Sequence, residues 1–215
     1  HSISPTSPYH TACAQQLGRY CEFYLASISD TGSWNWVVTA DHSNGYSFVN
    51  DVGIGMGGEA AIGGFYSGSI QFGIQTITSQ AGDGYLAKTD PFGNFMWAHS
   101  HATTGTNNNT SSVDAVELDM NGDIIIAGAF DGDTDFGGTT ISAKSPSIYV
   151  AKYNGNNGQL IWVMSGGSGS TGVLDLHVSM TGAIFVGGYT QNSVTFGQQL
   201  YSNLGLVDSF VLELD

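Results

Sequence analysis

The sequence predicts an all-β fold, a β-propeller-like array of four-stranded antiparallel blades with a repeat of about 60–64 residues. Three observations predict it. A gap-free internal repeat runs through most of the chain. Each unit divides into short strands separated by glycine-bearing turns. No segment carries a 3.6-residue apolar period with helix caps.

Residues 49–88, shifted by 64, align onto 113–152. Val49, Met56, Gly58, Ile62, Gly64 and Phe72 meet Val113, Met120, Gly122, Ile126, Gly128 and Phe136. A further shift of 60 carries 113–144 onto 173–204, where Val173, Met180, Gly182, Gly188 and Phe196 hold the same places. A Gly-x-x-x-Trp element recurs as Gly32 to Trp36, Gly93 to Trp97 and Gly158 to Trp162.

Each unit reads as four strands. Strand one alternates, as in VDAVELDM, with Val116, Leu118 and Met120 on one face. The NGD at 121–123 and TGA at 181–183 read as tight hairpin turns. Strand two is a nearly continuous apolar run, IIIAGAF or IFVGGY, as expected where both faces are buried. A longer connection ends in Phe-Gly. Strand three is GYLAK, IYVAK or SFVLEL, and strand four carries the tryptophan, as in FMWAHS and LIWVMS. One such sheet cannot bury both its faces, so neighbouring blades must cover each other. Gly63, Gly64, Ala127, Gly128, Gly187 and Gly188 allow the sheets to approach closely. Trp36, Trp97, Trp162, Phe72, Phe136 and Phe196 are the repeated wedge-fillers.

The pattern DxNGDIIIAGAF…FGG…IYVAKYNGNNGQLIW resembles the SBBP-type β-propeller repeat, over roughly residues 22–215. That resemblance implies a secreted or cell-surface location, a binding or display role, and no catalytic residues to carry over. The opening segment departs from it, since Cys13 and Cys21 have no counterpart in later units.

The whole chain, 1–215, reads as a single propeller-type domain. It comprises an N-terminal extension (1–21) with the cysteine pair, a partial blade (22–40) and repeats at 49–100, 113–165 and 173–215. The partial blade supplies strands three and four only, and the last repeat stops after strand three. Closing a ring on these strands gives three blades, fewer than the about four to eight of propellers. The expectation is therefore a longer array, or chains that complete each other's edges. The second is preferred. No signal peptide is visible in HSISPTSPYH, so one has been removed or the residues lie inside a longer chain.

With 18 acidic against 4 basic residues the net charge is −14, which excludes a nucleic-acid-binding face. No run reaches the about 18 apolar residues of a membrane-spanning helix. Apolar residues at 41% argue against disorder. Cys13 and Cys21 fit a disulfide clipping a loop in an exported protein, with two free thiols as the other reading. Asn108 and Asn109 fit the N-x-[ST] glycosylation pattern.

DGDTD places Asp131, Asp133 and Asp135 at alternate positions, a calcium candidate by oxygen count. An EF-hand template fails, because Phe136 and Ser142 stand at positions six and twelve. The other repeats read SGSIQ and QNSVT there, so the fold requires no cofactor at this place, and an acid-decorated turn is the competing reading. His99 and His101 share one strand face, with His42 as a possible third metal ligand from a loop. Asp51, Asp114, Glu117, Asp175 and His177 on strand one are expected to line an acidic channel. No G-x-S-x-G elbow occurs, and SGGSGSTG at 165–172 is followed by no GK[ST].

The sequence thus points away from an enzyme. It points to an extracellular module for adhesion, surface display or self-assembly, through edge strands 22–28 and 208–214 and rim loops 66–82 and 99–112. Its partners are other copies, other extracellular proteins or glycans. The alternative is a carbohydrate-binding or carbohydrate-processing domain with Tyr46, Tyr66 and Tyr189 as sugar platforms.

Overall fold

The computed structural model describes residues 23–104, 110–167, 169, 171–196, 199–203 and 205–214. Cys13, Cys21, Asn108 and Asn109 lie outside the described residues, as does the 1–21 extension. The fold is all-β, with no helix among the described residues. Strands β1 (Tyr24–Ile28) and β2 (Trp34–Thr39) form a two-stranded sheet. Strands β3 (Asp41–Ile54), β4 (Ala60–Phe72), β5 (Gln75–Thr89) and β6 (Phe95–His101) form an antiparallel meander in that order. The next sheet runs β11 (Leu160–Gly166), β10 (Thr140–Tyr153), β9 (Ile124–Asp135), with β7 (Thr103–Thr104) and β8 (Ala115–Leu118) both on β9. The last is three-stranded: β12 (Thr171–Val178), β13 (Ile184–Thr190) and β16 (Asp208–Leu214). A small arm, β14 (Val194–Phe196) with β15 (Gln199–Tyr201), stands between the last two strands.

The turns follow from one local rule. At Ser29, Asp90, Asp119 and Ser179 the N–H of residue i donates to the carbonyl of i+4, and the glycine N–H at i+3 donates back to the carbonyl of i. Gly32, Gly93, Gly122 and Gly182 stand there with φ of 82°, 83°, 78° and 91°, a region glycine enters without cost. The first residue's side chain reinforces the turn. Asp119 Oδ1 accepts from Asn121 and Asp123 N–H at 2.8 and 3.0 Å. This turn ends β8 at Leu118, so Met120 lies outside the strand and is 58% exposed, whereas Val116 and Leu118 are buried. The expectation that all three share a buried face is corrected on that point.

Three apolar clusters lie between neighbouring sheets. Phe23 and Leu25 pack with Ile62, Tyr66, Phe72 and Tyr85. Ala61, Leu86 and Trp97 pack with Val113, Val116, Ile126 and Tyr149. Ile125, Ala127, Val150 and Trp162 pack with Val173, Leu176, Ile184 and Val186. The tryptophans tie each sheet to the next: Trp36 Nε1 donates to Pro91 O at 2.9 Å and Trp97 Nε1 to Gly155 O at 3.3 Å.

Two expected loops are largely or partly strand. Residues 66–82 belong to the long β4–β5 hairpin, where Tyr66, Ile70, Phe72 and Ile77 are buried at alternating positions. The start of the expected 99–112 loop is strand as well, because β6 runs on to His101 and β7 pairs Thr103 and Thr104 with β9.

Candidate functional site

The acids of strand one serve as ties between sheets. A bulge on β3 between Val49 and Asp51 leaves Asn50 out of the ladder, while Asp51 pairs with Gly63. Asp51 Oδ1 accepts from Val52 N–H and its Oδ2 from Val116 N–H, each at 2.8 Å, joining β3 to β8. Asn50 Nδ2 adds a bond to Val113 O at 2.9 Å. One sheet further on, Glu117 Oε2 accepts from Val178 N–H, and Glu117 Oε1 lies 3.3 Å from His177 Nδ1. Asp114 is bonded by Asn50 at 3.3 Å, and burial pushes its carboxyl up. Backbone N–H groups and neighbouring side chains take these carboxylates, as a structural seam would.

His101 is fully buried. Its Nε2 is 3.0 Å from the Tyr153 hydroxyl, which also reaches Phe136 O at 3.3 Å. The consistent assignment has Nε2–H donating to the tyrosine oxygen and the tyrosine donating to the carbonyl. Nδ1 then has no partner. Burial, with His99 nearby, pushes His101 down to about 3. His99 shares its face and stacks on Tyr153 at 6.0 Å. His42 does not join them: it sits on β3, with Nε2 3.0 Å from Ser67 O.

The DGDTD segment is strand, not loop. Asp133 pairs with Ser142 and Asp135 with Thr140, and β7 pairs Thr104 with Asp133. Thr134 points inward and is buried, so the three acids alternate with it along the opposite face. Asp135 Oδ1 accepts from Gly138 N–H at 2.7 Å and closes the hairpin tip. Among the described residues no three His, Cys, Asp or Glu side chains are gathered as ligands of one ion.

Of the expected sugar platforms, Tyr66 is buried with its hydroxyl on Ser100 Oγ at 2.7 Å, and burial pushes it up to about 12. Tyr46 is 47% exposed, its ring 5.7 Å from Phe48 and 5.8 Å from Phe65. Tyr189 is half-buried, under Gly172.

The last sheet repeats the docking features of the earlier ones but, among the described residues, lacks their cover. A Cβ at Gly63 would lie 2.3 Å from Val113 Cγ1, so the following sheet fills that place. At Gly187, the same repeat position, a Cβ would meet no atom of the described residues within 4 Å. Leu86 and Val150 are buried, whereas Val211 at their place is 74% exposed. Leu174 beside it is 69% exposed. The sequence equates these positions but carries no signal for which of them is covered. No protein-family model matches this chain, and neither does any curated protein.

Proposed function

We propose that this chain is a non-catalytic extracellular module for adhesion, surface display or self-assembly, built on a propeller-like stack of blades. The observation that carries the reading is the contrast between Gly63 and Gly187 with their neighbours. The same surface that receives a sheet between Gly63 and Val113 lies open around Gly187, Leu174 and Val211. Exposed apolar surface of this kind marks an interaction face. Val52 and Ile54, on one face of β3, are a second such pair, 44% and 63% exposed. The resemblance to SBBP-type repeats supports the extracellular location. Light scattering over a range of concentrations tests the reading. The mass is expected to grow with concentration, and a constant monomer mass across the range would overturn self-association.

A carbohydrate-binding role is the second reading, favoured by the exposed Tyr46 ring beside Phe48 and Phe65. Screening on a glycan array with and without calcium tests it. Saturable binding lost on Tyr46→Ala is expected, and an array without hits, or hits that Tyr46→Ala leaves intact, removes the reading.

A further inference from the structure

In both complete sheets the third strand is flanked by a fourth: β6 lies on β5 and β11 on β10. In the last sheet β16 is the edge strand, with no neighbour beyond it among the described residues. Beside that edge is a cleft of about 400 Å³ under the β14–β15 arm, lined by Thr190, Val194, Phe196, Tyr201, Asn203 and Phe210.

The occupied seats define what fits the open one. Trp97, Ala98 and Ser100 pair with Lys88, Ala87 and Tyr85. Trp162, Val163 and Ser165 pair with Lys152, Ala151 and Tyr149. Trp36, Val37 and Thr39 pair with Ser27, Ala26 and Tyr24. Three strands therefore share Trp-(Ala/Val)-x-(Ser/Thr) in one register. Phe210 faces Gly188 as Tyr85 faces Gly64, so this register puts the tryptophan opposite Glu213 and the Ser/Thr opposite Phe210.

A second observation points to the same ligand. In the first complete sheet the Gln75 amide grips the backbone of the strand-four residue after the tryptophan. Its Nε2 donates to Ala98 O at 2.7 Å, and its Oε1 accepts from Ala98 N–H at 3.0 Å. The shifts of 64 and 60 residues carry position 75 to Thr139 and then to Gln199. Gln199 stands on β15 with its side chain exposed. The last repeat thus carries a glutamine at the gripping position, on the arm, together with an open edge on β16. Glu213 also replaces Lys88 and Lys152 opposite the tryptophan, so a basic flank on the incoming strand is matched in charge.

We propose that the β16 edge binds, by strand addition, an extended peptide segment bearing Trp-(Ala/Val)-x-(Ser/Thr), with Gln199 gripping the backbone of the residue after the tryptophan. This deepens the interaction reading above and rests on it. The probe is a capped, fluorescein-labelled peptide with the sequence of residues 158–166 behind two lysines. It is titrated against the full chain at a dilution where the scattering mass is constant, and amide hydrogen exchange is read with and without peptide. Saturable binding with slowed exchange in 208–214 is expected. Gln199→Ala should weaken binding by about tenfold, because two backbone hydrogen bonds are lost. Unchanged exchange in 208–214 at saturating peptide, or equal affinity for Gln199→Ala, would overturn the proposal. Peptide capture without any growth in mass upholds it and removes self-association; growth in mass without capture does the reverse.

Discussion

Gly128→Ala is expected to destabilise the fold by roughly 3 kcal/mol, because the added methyl group meets backbone. A Cβ there would lie 2.0 Å from Ser112 O, a backbone atom that cannot swing aside. That carbonyl is also held by the Tyr149 hydroxyl at 2.8 Å. The same arrangement recurs at Gly64, where a Cβ would meet Phe48 O at 1.9 Å and Tyr85 donates to that oxygen at 3.1 Å. At Gly188 the clashing atom is Gly172 O at 2.3 Å, with Phe210 in place of the tyrosine. The repeat thus keeps a glycine wherever strand one turns a carbonyl over strand two. Gly187→Ala is the matched control. It adds the same methyl one residue from Gly188, into open space, and should change stability by less than about 0.5 kcal/mol. Thermal melting of both variants beside the parent checks the pair. Similar melting temperatures for Gly128→Ala and the parent would refute the close approach.

The second large effect is a loss of stability in acid that depends on one side chain. His101 is held near 3 in the folded chain, against an ordinary value of 6.5. Between these pH values the unfolded chain carries the extra proton, so folding is progressively opposed as pH falls. The contribution is fully present above about pH 6.5, declines through that window, and is gone below the folded value. Linkage gives it a size on the order of a few kcal/mol. His99, also lowered by burial, adds to the same slope. His101→Phe isolates the effect. The new ring keeps the stacking with Phe136 at 4.8 Å, and Tyr153 keeps its bond to Phe136 O. Chemical denaturation between pH 7 and 4 should show a shallower decline for His101→Phe than for the parent. Parallel curves would mean that His101 gains its proton without opening the core.

Much of this architecture was legible in the sequence because it is periodic. The repeat locates the hairpin glycines Gly58, Gly122 and Gly182, and the Gly-x-x-x-Trp element locates the fourth strands β6 and β11. The arms read as loops in the sequence because Ser-Gly-Ser and Asp-Gly-Asp have loop composition. Yet Tyr66, Ile70 and Ile77 alternate inward through one arm, and Thr134 is buried in another. Tertiary pairing between the two halves of each hairpin overrides that polar composition. The strand-one acids suggest a channel lining by their spacing alone. Their actual bonds depend on the bulge beside Asp51 and on the next sheet's backbone, neither of which has a local sequence signature. The Gln75 grip was likewise hidden, since it joins residues 23 apart in the chain through one side-chain amide. Once seen, it gives Gln199 a meaning that composition alone withholds.

The central claim is that the open face around Gly187 and Val211 is an interface. The most direct test compares the scattering mass of the parent, Val211→Arg and Ile74→Arg. Ile74 sits at the β4–β5 hairpin tip, fully exposed, and serves as a charge-matched control away from that face. The account predicts that Val211→Arg stays monomeric at concentrations where the parent and Ile74→Arg associate. Equal masses for all three variants at every concentration would contradict it.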